Sequence, residues 1–197
     1  MGLPPTATYA TLVLWNYTLK EQCCDQTEPM ALQSLQTITG TRDEEWFYLI
    51  SVAVEAKGAP LILTMLGCMQ AVLDNDVDTV ISCLDSTTAR IKELGALLAR
   101  MHEHCDPQVF YHNIRPLLAG SKGMAAAGLT RGVFYDKGNG EGEWKQYSGG
   151  SNAQSSLIQI FDIFLQVDHH ATGGPESGSK STPSTRNVNG FIQVGRR

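Results

Sequence analysis

Three groups of residues in this chain have types and spacings that could do chemistry. Arg115 closes the run Val109-Phe110-Tyr111-His112-Asn113-Ile114. A guanidinium there could grip a carboxylate through two parallel N–H···O bonds, with Phe110 lining the same pocket, and a structural ion pair is the competing reading. Gly149-Gly150 precede Ser151-Asn152-Ala153-Gln154-Ser155-Ser156. Glycines before a capped helix leave backbone N–H groups for an anion. The run lacks the Lys-Ser/Thr of a phosphate loop, and a plain helix cap is the alternative. The third group is His102, His104, His112, His169 and His170. Two residues apart on a helix, His102 and His104 diverge by roughly 200° and cannot share a metal. His169 and His170 open a segment without apolar period, a poor frame for a rigid ligand. All five read as solvent-facing or core-satisfied histidines, and no metal-ligand set is expected.

Composition limits what can surround these groups. With 197 residues, 42% of them hydrophobic and 18% charged, the chain can build a substantial core. A net charge of −5 and the lack of a basic cluster argue against a nucleic-acid binder. The apolar stretches at 46–54 and 61–69 are broken by polar residues, too short for a span of about 20 residues, so no membrane is expected. Met1-Gly2-Leu3-Pro4-Pro5 lacks the start of a signal peptide. Five cysteines have no metal-like spacing: Cys23 and Cys24 are adjacent, and Cys68, Cys83 and Cys105 sit within helical patterns as small hydrophobes. A reducing, cytoplasmic compartment is expected.

The elements that must carry the chemistry are mostly helices. Residues 9–22 read as the first, with a connector over 25–45 holding a short helix near 30–35. A helix over 42–57 has Asp43, Glu44 and Glu45 in its first turn, where the dipole favours anions, and Gly58 as its stop. Pro60 then suits the first turn of a helix over 60–73. Val77, Val80, Ile81, Leu84, Ile91, Leu94, Leu98 and Met101 form an apolar stripe along one long helix. Another helical stretch follows Asp106-Pro107 and stops before Gly120. Lys137-Gly138-Asn139-Gly140-Glu141-Gly142 between aromatic flanks marks a small hairpin or loop. Ser151 and Gln154 form a capping-box pattern opening a helix over 155–167, apolar nearly all round and hence expected to be buried. Residues 169–197 read as a flexible low-complexity tail, leaving 1–168 as the helical domain.

Three segments in order resemble the indoleamine 2,3-dioxygenase family. Trp46-Phe47-Tyr48-Leu49-Ile50-Ser51-Val52-Ala53-Val54-Glu55 is similar to its distal-side helix. Phe110 through Arg115, then Leu118, Gly120, Lys122 and Gly123, is similar to its Phe-x4-Arg segment and Gly-x-Lys-Gly turn. Gly149-Gly150-Ser151, Gln154-Ser155-Ser156, Gln159 and Phe161-Asp162 resemble its glycine-serine signature, and Leu3-Pro4-Pro5 with Tyr9 the start of its large domain. The likeness runs over roughly residues 3–168.

The resemblance implies an all-α bundle forming the distal half of a haem pocket, with heme b as cofactor. Its substrates would be L-tryptophan or a related indoleamine and O2, its product N-formylkynurenine. Phe47, Ser51 and Phe110 would be the catalytic wall, with Ser51, Gly150 and Ser151 against the cofactor. Arg115 would hold the substrate carboxylate, and Tyr9, Ser151 and Asn152 would complete the substrate pocket. Asn152 stands where better-known members carry alanine. The family's proximal haem histidine lies beyond the Gln-Ser-Ser segment, and no equivalent is recognisable here. Haem binding is therefore expected to be weak or absent, as is the family's small N-terminal domain. After about residue 190 the sequence is expected not to rejoin the family, as a truncated or read-through gene would give. Apolar helix faces would be left exposed, prone to aggregation or partner contact. An inactive remnant and a helical interaction module are the alternatives to an enzyme.

Overall fold

The computed structural model describes residues 6–20 and 25–167. Cys23, Cys24, His169, His170 and the tail expected over 169–197 lie outside the described residues. The fold is mostly helical, as the patterning requires, with two small hairpins.

Its spine is α1 (Arg42–Leu73). Thr41, in extended conformation, accepts the Glu44 N–H at 3.3 Å, and Asp43, Glu44 and Glu45 occupy the first turn. Sequence patterning divides this stretch at Gly58, but the helix runs straight through both Gly58 and Pro60. The proline removes one helical hydrogen bond, at about 3 kcal/mol. Burial of Leu61, Met65 and Cys68 beyond it, in line with the buried Ile50 and Ala53 before it, outweighs that penalty. Gly58 serves packing instead of termination: a Cβ built there would lie 2.2 Å from Leu157 Cδ2.

α1 is long and apolar enough to cross a membrane by length and composition, with mean hydropathy 1.6 over 18 residues. That corrects the expectation of stretches too short to span, which rested on the polar residues that interrupt 46–54 and 61–69. In this fold 44% of that window is buried against the rest of the chain.

Asp74-Asn75-Asp76 turns the chain back into α2 (Val77–Ala99), capped by Asp76, whose side chain accepts the Thr79 N–H at 3.1 Å. The expected helix is present, but its stripe is largely uncovered. Leu94 is buried, whereas Val77, Ile81, Leu84 and Leu98 are exposed. A tight turn (Arg100–Glu103) leads to α3 (Pro107–Val109), a wide π-helical turn (Phe110–Ile114) and α4 (Arg115–Leu118). Asp43 accepts the Asp106 N–H at 2.8 Å and so ties this path to the start of α1.

The first helix expected from sequence is cut short. Only Ala10–Leu14 is helical, as a π turn, and β1 (Tyr17–Leu19) then pairs antiparallel with β2 (Leu32–Ser34). Buried Asn16 causes the switch. Its carboxamide donates to the Leu12 and Gln36 carbonyls and accepts the Gln36 N–H at 2.9 Å, offering the backbone partners that a helix would otherwise need. The short helix expected near 30–35 is likewise one tight turn, Pro29–Ala31, running into β2.

The glycine-rich hairpin forms as expected from β3 (Val133–Gly138) and β4 (Glu141–Lys145). Asn139 and Gly140 both have φ near the left-handed region (58° and 78°), as its two-residue turn demands. The last described helix is α5 (Ser156–Leu165). Its cap is Ser155, which accepts the Ile158 N–H at 3.1 Å, while Ser151 caps only the short turn Asn152–Gln154. The capping box read at Ser151 and Gln154 is therefore not formed. Nor is α5 buried all round: Leu157 is enclosed against Gly58, but Ile158, Ile163 and Leu165 are exposed.

Two cores result. One joins Tyr9, Val13 and Leu32 to Trp46, Ile50 and Ala53, and the other joins Leu61, Met65 and Leu94 beneath Phe161 and Phe164 of α5.

Candidate functional site

A cavity of about 460 Å³ opens where α1, the π turn before α4, the first helical turn and the loop before α5 meet. Phe47 of α1 and Phe110 form its aromatic floor, their ring centroids 4.6 Å apart at 41°. Tyr9, Leu12 and Val13 make one side, Leu118 and Ala119 another, and Gly150, Ser151 and Asn152 a third. Arg115, the first residue of α4, is the only charged group among the described lining residues. Its guanidinium lies 5.3 Å from the centre of the Tyr111 ring and has no carboxylate partner among the described residues.

Two glycine segments hold the third side in place. Gly120, at φ 68°, packs backbone against backbone: a Cβ there would lie 2.3 Å from the Gly149 nitrogen. Gly149 in turn donates its N–H to Ala119 O at 3.2 Å, and a Cβ on it would overlap Leu118 O at 1.7 Å. The Gly-x-Lys-Gly turn and the Gly-Gly-Ser run are therefore one structural joint. It sets Ser151 and Asn152 across from Arg115. Gly150 continues the close approach, since a Cβ there would come within 2.7 Å of Leu12 Cδ1.

Tyr9 is buried, and its hydroxyl donates to Glu55 Oε1 at 2.8 Å. Burial, and after it the negative charge and hydrogen bond of Glu55, push the phenol well above its ordinary pKa, so Tyr9 stays protonated. The Ser155 hydroxyl donates to the same carboxylate oxygen. Gln154 bridges the two sides, accepting the Tyr9 N–H at 2.7 Å and donating to Gly149 O at 3.3 Å.

Seven residues proposed for the site from sequence, Tyr9, Phe47, Phe110, Arg115, Gly150, Ser151 and Asn152, line this one cavity. Ser51 does not line it. It is buried one turn behind Phe47 and donates its hydroxyl to the Phe47 carbonyl at 3.1 Å, a bond available to any mid-helix serine. None of His102, His104 and His112 lines the cavity; His104 packs edge-on against Trp46 at 4.6 Å and His112 against Tyr111 at 5.0 Å. Sequence reasoning missed Leu12, Val13, Tyr48, Leu118 and Ala119 as lining residues. Their periodicity marks them only as apolar or aromatic, and which face they share with Arg115 is a tertiary fact. It also left Glu55 without a role.

A mostly helical scaffold brings paired aromatics, one arginine and a glycine-serine loop to a shared cavity. The comparisons with known proteins place this scaffold in a family. The family model described as "Indoleamine 2,3-dioxygenase" matches residues 1–197. The chain is 43% identical over 177 residues to an indoleamine 2,3-dioxygenase of Aspergillus candidus, covering 87% of this chain and 44% of that protein. It is 42% identical over 188 residues to the indoleamine 2,3-dioxygenase of Saccharomyces cerevisiae, covering 92% and 41%. A 6-hydroxytryptophan 2,3-dioxygenase of Fusarium equiseti is 35% identical over 173 residues, covering 86% and 42%. This chain belongs to the indoleamine 2,3-dioxygenase family. It spans about two fifths of the length of these relatives. The family match also takes in 169–197, which the sequence reading had placed partly outside the family.

The donor set bears on the cofactor that the family implies. The cavity offers apolar and aromatic surface, suited to the face of a macrocycle, and backbone at Gly150 and Ser151 suited to its polar edge. No group of three or more His, Cys, Asp or Glu among the described residues could hold a metal ion. The described lining would suit one face of heme b, and it contains no histidine or cysteine.

Proposed function

We propose that this chain forms the substrate-side wall of a haem dioxygenase that opens the indole ring of L-tryptophan, or a related indoleamine, to N-formylkynurenine. One observation carries the reading: Phe47, Phe110, Arg115 and the Gly150-Ser151-Asn152 loop come from three distant segments and line one cavity. Heme b, when bound, supplies the activation of O2. The rest is the work of side chains. Arg115 takes the substrate carboxylate through two parallel N–H···O bonds and so fixes the amino-acid end. Phe47 and Phe110 hold the indole ring by offset or edge contacts. Tyr9, Leu12, Val13 and Leu118 keep water from the ring, and Ser151 and Asn152 close the pocket beside it. No carboxylate or imidazole is among the described lining residues, so the wall positions and shields the indole and removes no proton from it. Ser51 stands behind this wall, its hydroxyl taken by the Phe47 carbonyl. Cys68, Cys83 and Cys105 are free thiols, in keeping with a cytoplasmic setting.

The test is an absorbance titration of the purified chain with haemin, before and after dithionite and CO, then with L-tryptophan under O2. A Soret band that shifts with L-tryptophan, followed by N-formylkynurenine, supports the reading. A chain that gives neither Soret band nor tryptophan-dependent change does not have this function on its own.

A further inference from the structure

Two sides of the cavity, the Tyr9 side and the 149–155 loop, are not part of α1, yet both are tied to it through a single group. Glu55 lies one turn beyond Ser51 and two beyond Phe47 on the same face of α1. One of its oxygens accepts the Tyr9 hydroxyl at 2.8 Å and the Ser155 hydroxyl as well, joining residues 46 and 100 positions away. Ser155 is also the cap of α5, and Gln154 beside it takes the Tyr9 N–H. Gly150 lets the two sides meet, since any Cβ there would strike Leu12.

We propose that Glu55 is a positioning residue, a latch whose carboxylate clamps the Tyr9 side and the Ser151 loop onto the Phe47 face of α1. It touches neither Arg115 nor the cavity, so it acts on a bound molecule only through the walls it holds. That part of the proposal rests on the functional reading above. Hydrogen bonds to a charged acceptor are the strong ones, and two donors converging on one carboxylate make its loss local and large.

Hydrogen–deuterium exchange of the whole chain tests the latch without reference to any ligand. Glu55→Leu is expected to raise exchange in peptides 8–13 and 149–156 on the order of tenfold or more, with α2 amides unchanged. Glu55→Gln, whose carboxamide oxygen still accepts both hydroxyls, should restore most of the protection. If Glu55→Leu does not fold, Tyr9→Phe with Ser155→Ala removes both donors and should give the same local pattern. Unchanged exchange in both segments, or a rise equally large in α2, overturns the proposal. In calorimetric titrations, Glu55→Leu should weaken L-tryptophan and tryptamine by similar factors, because it loosens a wall and spares the carboxylate contact. Weakening of L-tryptophan alone would overturn the wall-positioning role. A wild-type chain that binds neither molecule would count against the functional reading and leave the exchange result to decide the latch.

Discussion

Arg115 carries the only charge among the described lining residues, and what it recognises can be separated from what the aromatic floor recognises. Removing a bidentate charged contact is expected to cost about 1.5–3 kcal/mol, roughly ten- to a hundredfold in affinity. Arg115→Ala should therefore weaken L-tryptophan by that factor and leave tryptamine, which lacks the carboxylate, nearly unchanged in the same titration. Arg115→Lys should recover only part of the loss, since an ammonium cannot match the fork. A second residue is expected to make the fold sensitive to acid. Glu44 is fully buried at the start of α1. Burial alone would raise its carboxyl. The N–H groups of Ile38 and Thr39, the Thr39 hydroxyl and the Tyr48 hydroxyl at 2.7 Å instead hold it below the usual carboxylate range. A depressed folded value stabilises above the unfolded pKa of about 4.3 and is lost as pH falls through the folded value. Urea midpoints should thus drop between pH 5 and lower pH, and Glu44→Gln should flatten that slope while lowering stability at pH 7 by roughly 1–3 kcal/mol. A slope unchanged in Glu44→Gln would place the acid sensitivity elsewhere.

At the scale of elements, the contact between α1 and α5 turns on one missing methyl. Leu157 enters the space that a Cβ on Gly58 would take. Gly58→Ala is expected to destabilise by about 1–3 kcal/mol through overpacking. Leu157→Ala should cost about 2–5 kcal/mol through the cavity it leaves. Because the two residues touch, the double variant should lose less than the sum of the singles in denaturant melts. Strict additivity would show that α5 does not dock through this pair. The same contact explains a difference between pattern and structure. A glycine followed two residues later by a proline reads locally as a helix stop and restart. Here the glycine is selected by a neighbour about a hundred residues away, and the proline is carried by the packing on either side of it.

At the scale of the molecule, the notable feature among the described residues is exposed apolar surface. Leu63 is 75% exposed, Leu73 72%, Val77 64% and Ile163 63%, all on α1, α2 and α5. Such surface invites association or partner contact. The chain alone is expected to bind a hydrophobic dye at neutral pH and to sediment as concentration-dependent oligomers. Leu63→Lys with Val77→Lys should suppress both, with stability changed by no more than about 0.5 kcal/mol per site. A monomer that binds no dye at high concentration would contradict this.

Local chemistry determined the helical class, the acidic first turn of α1, the α2 span and the 139–140 hairpin turn, while the grouping of Phe47, Phe110, Arg115 and Gly150 came from the resemblance of their motifs, in order, to a known family. Each depends on residues within a turn or two of one another, or on motif order along the chain. Long-range contacts decided the rest. Asn16 bonded to Gln36 ends the first helical turn early, and Leu157 turns Gly58 from a stop into a packing niche. Gln154 leaves its cap for Tyr9, Ser51 turns away from the cavity, and Glu55 gains two hydroxyls. A side chain's nearest partner in space sets its role, and sequence spacing constrains that partner only when both lie on the same element.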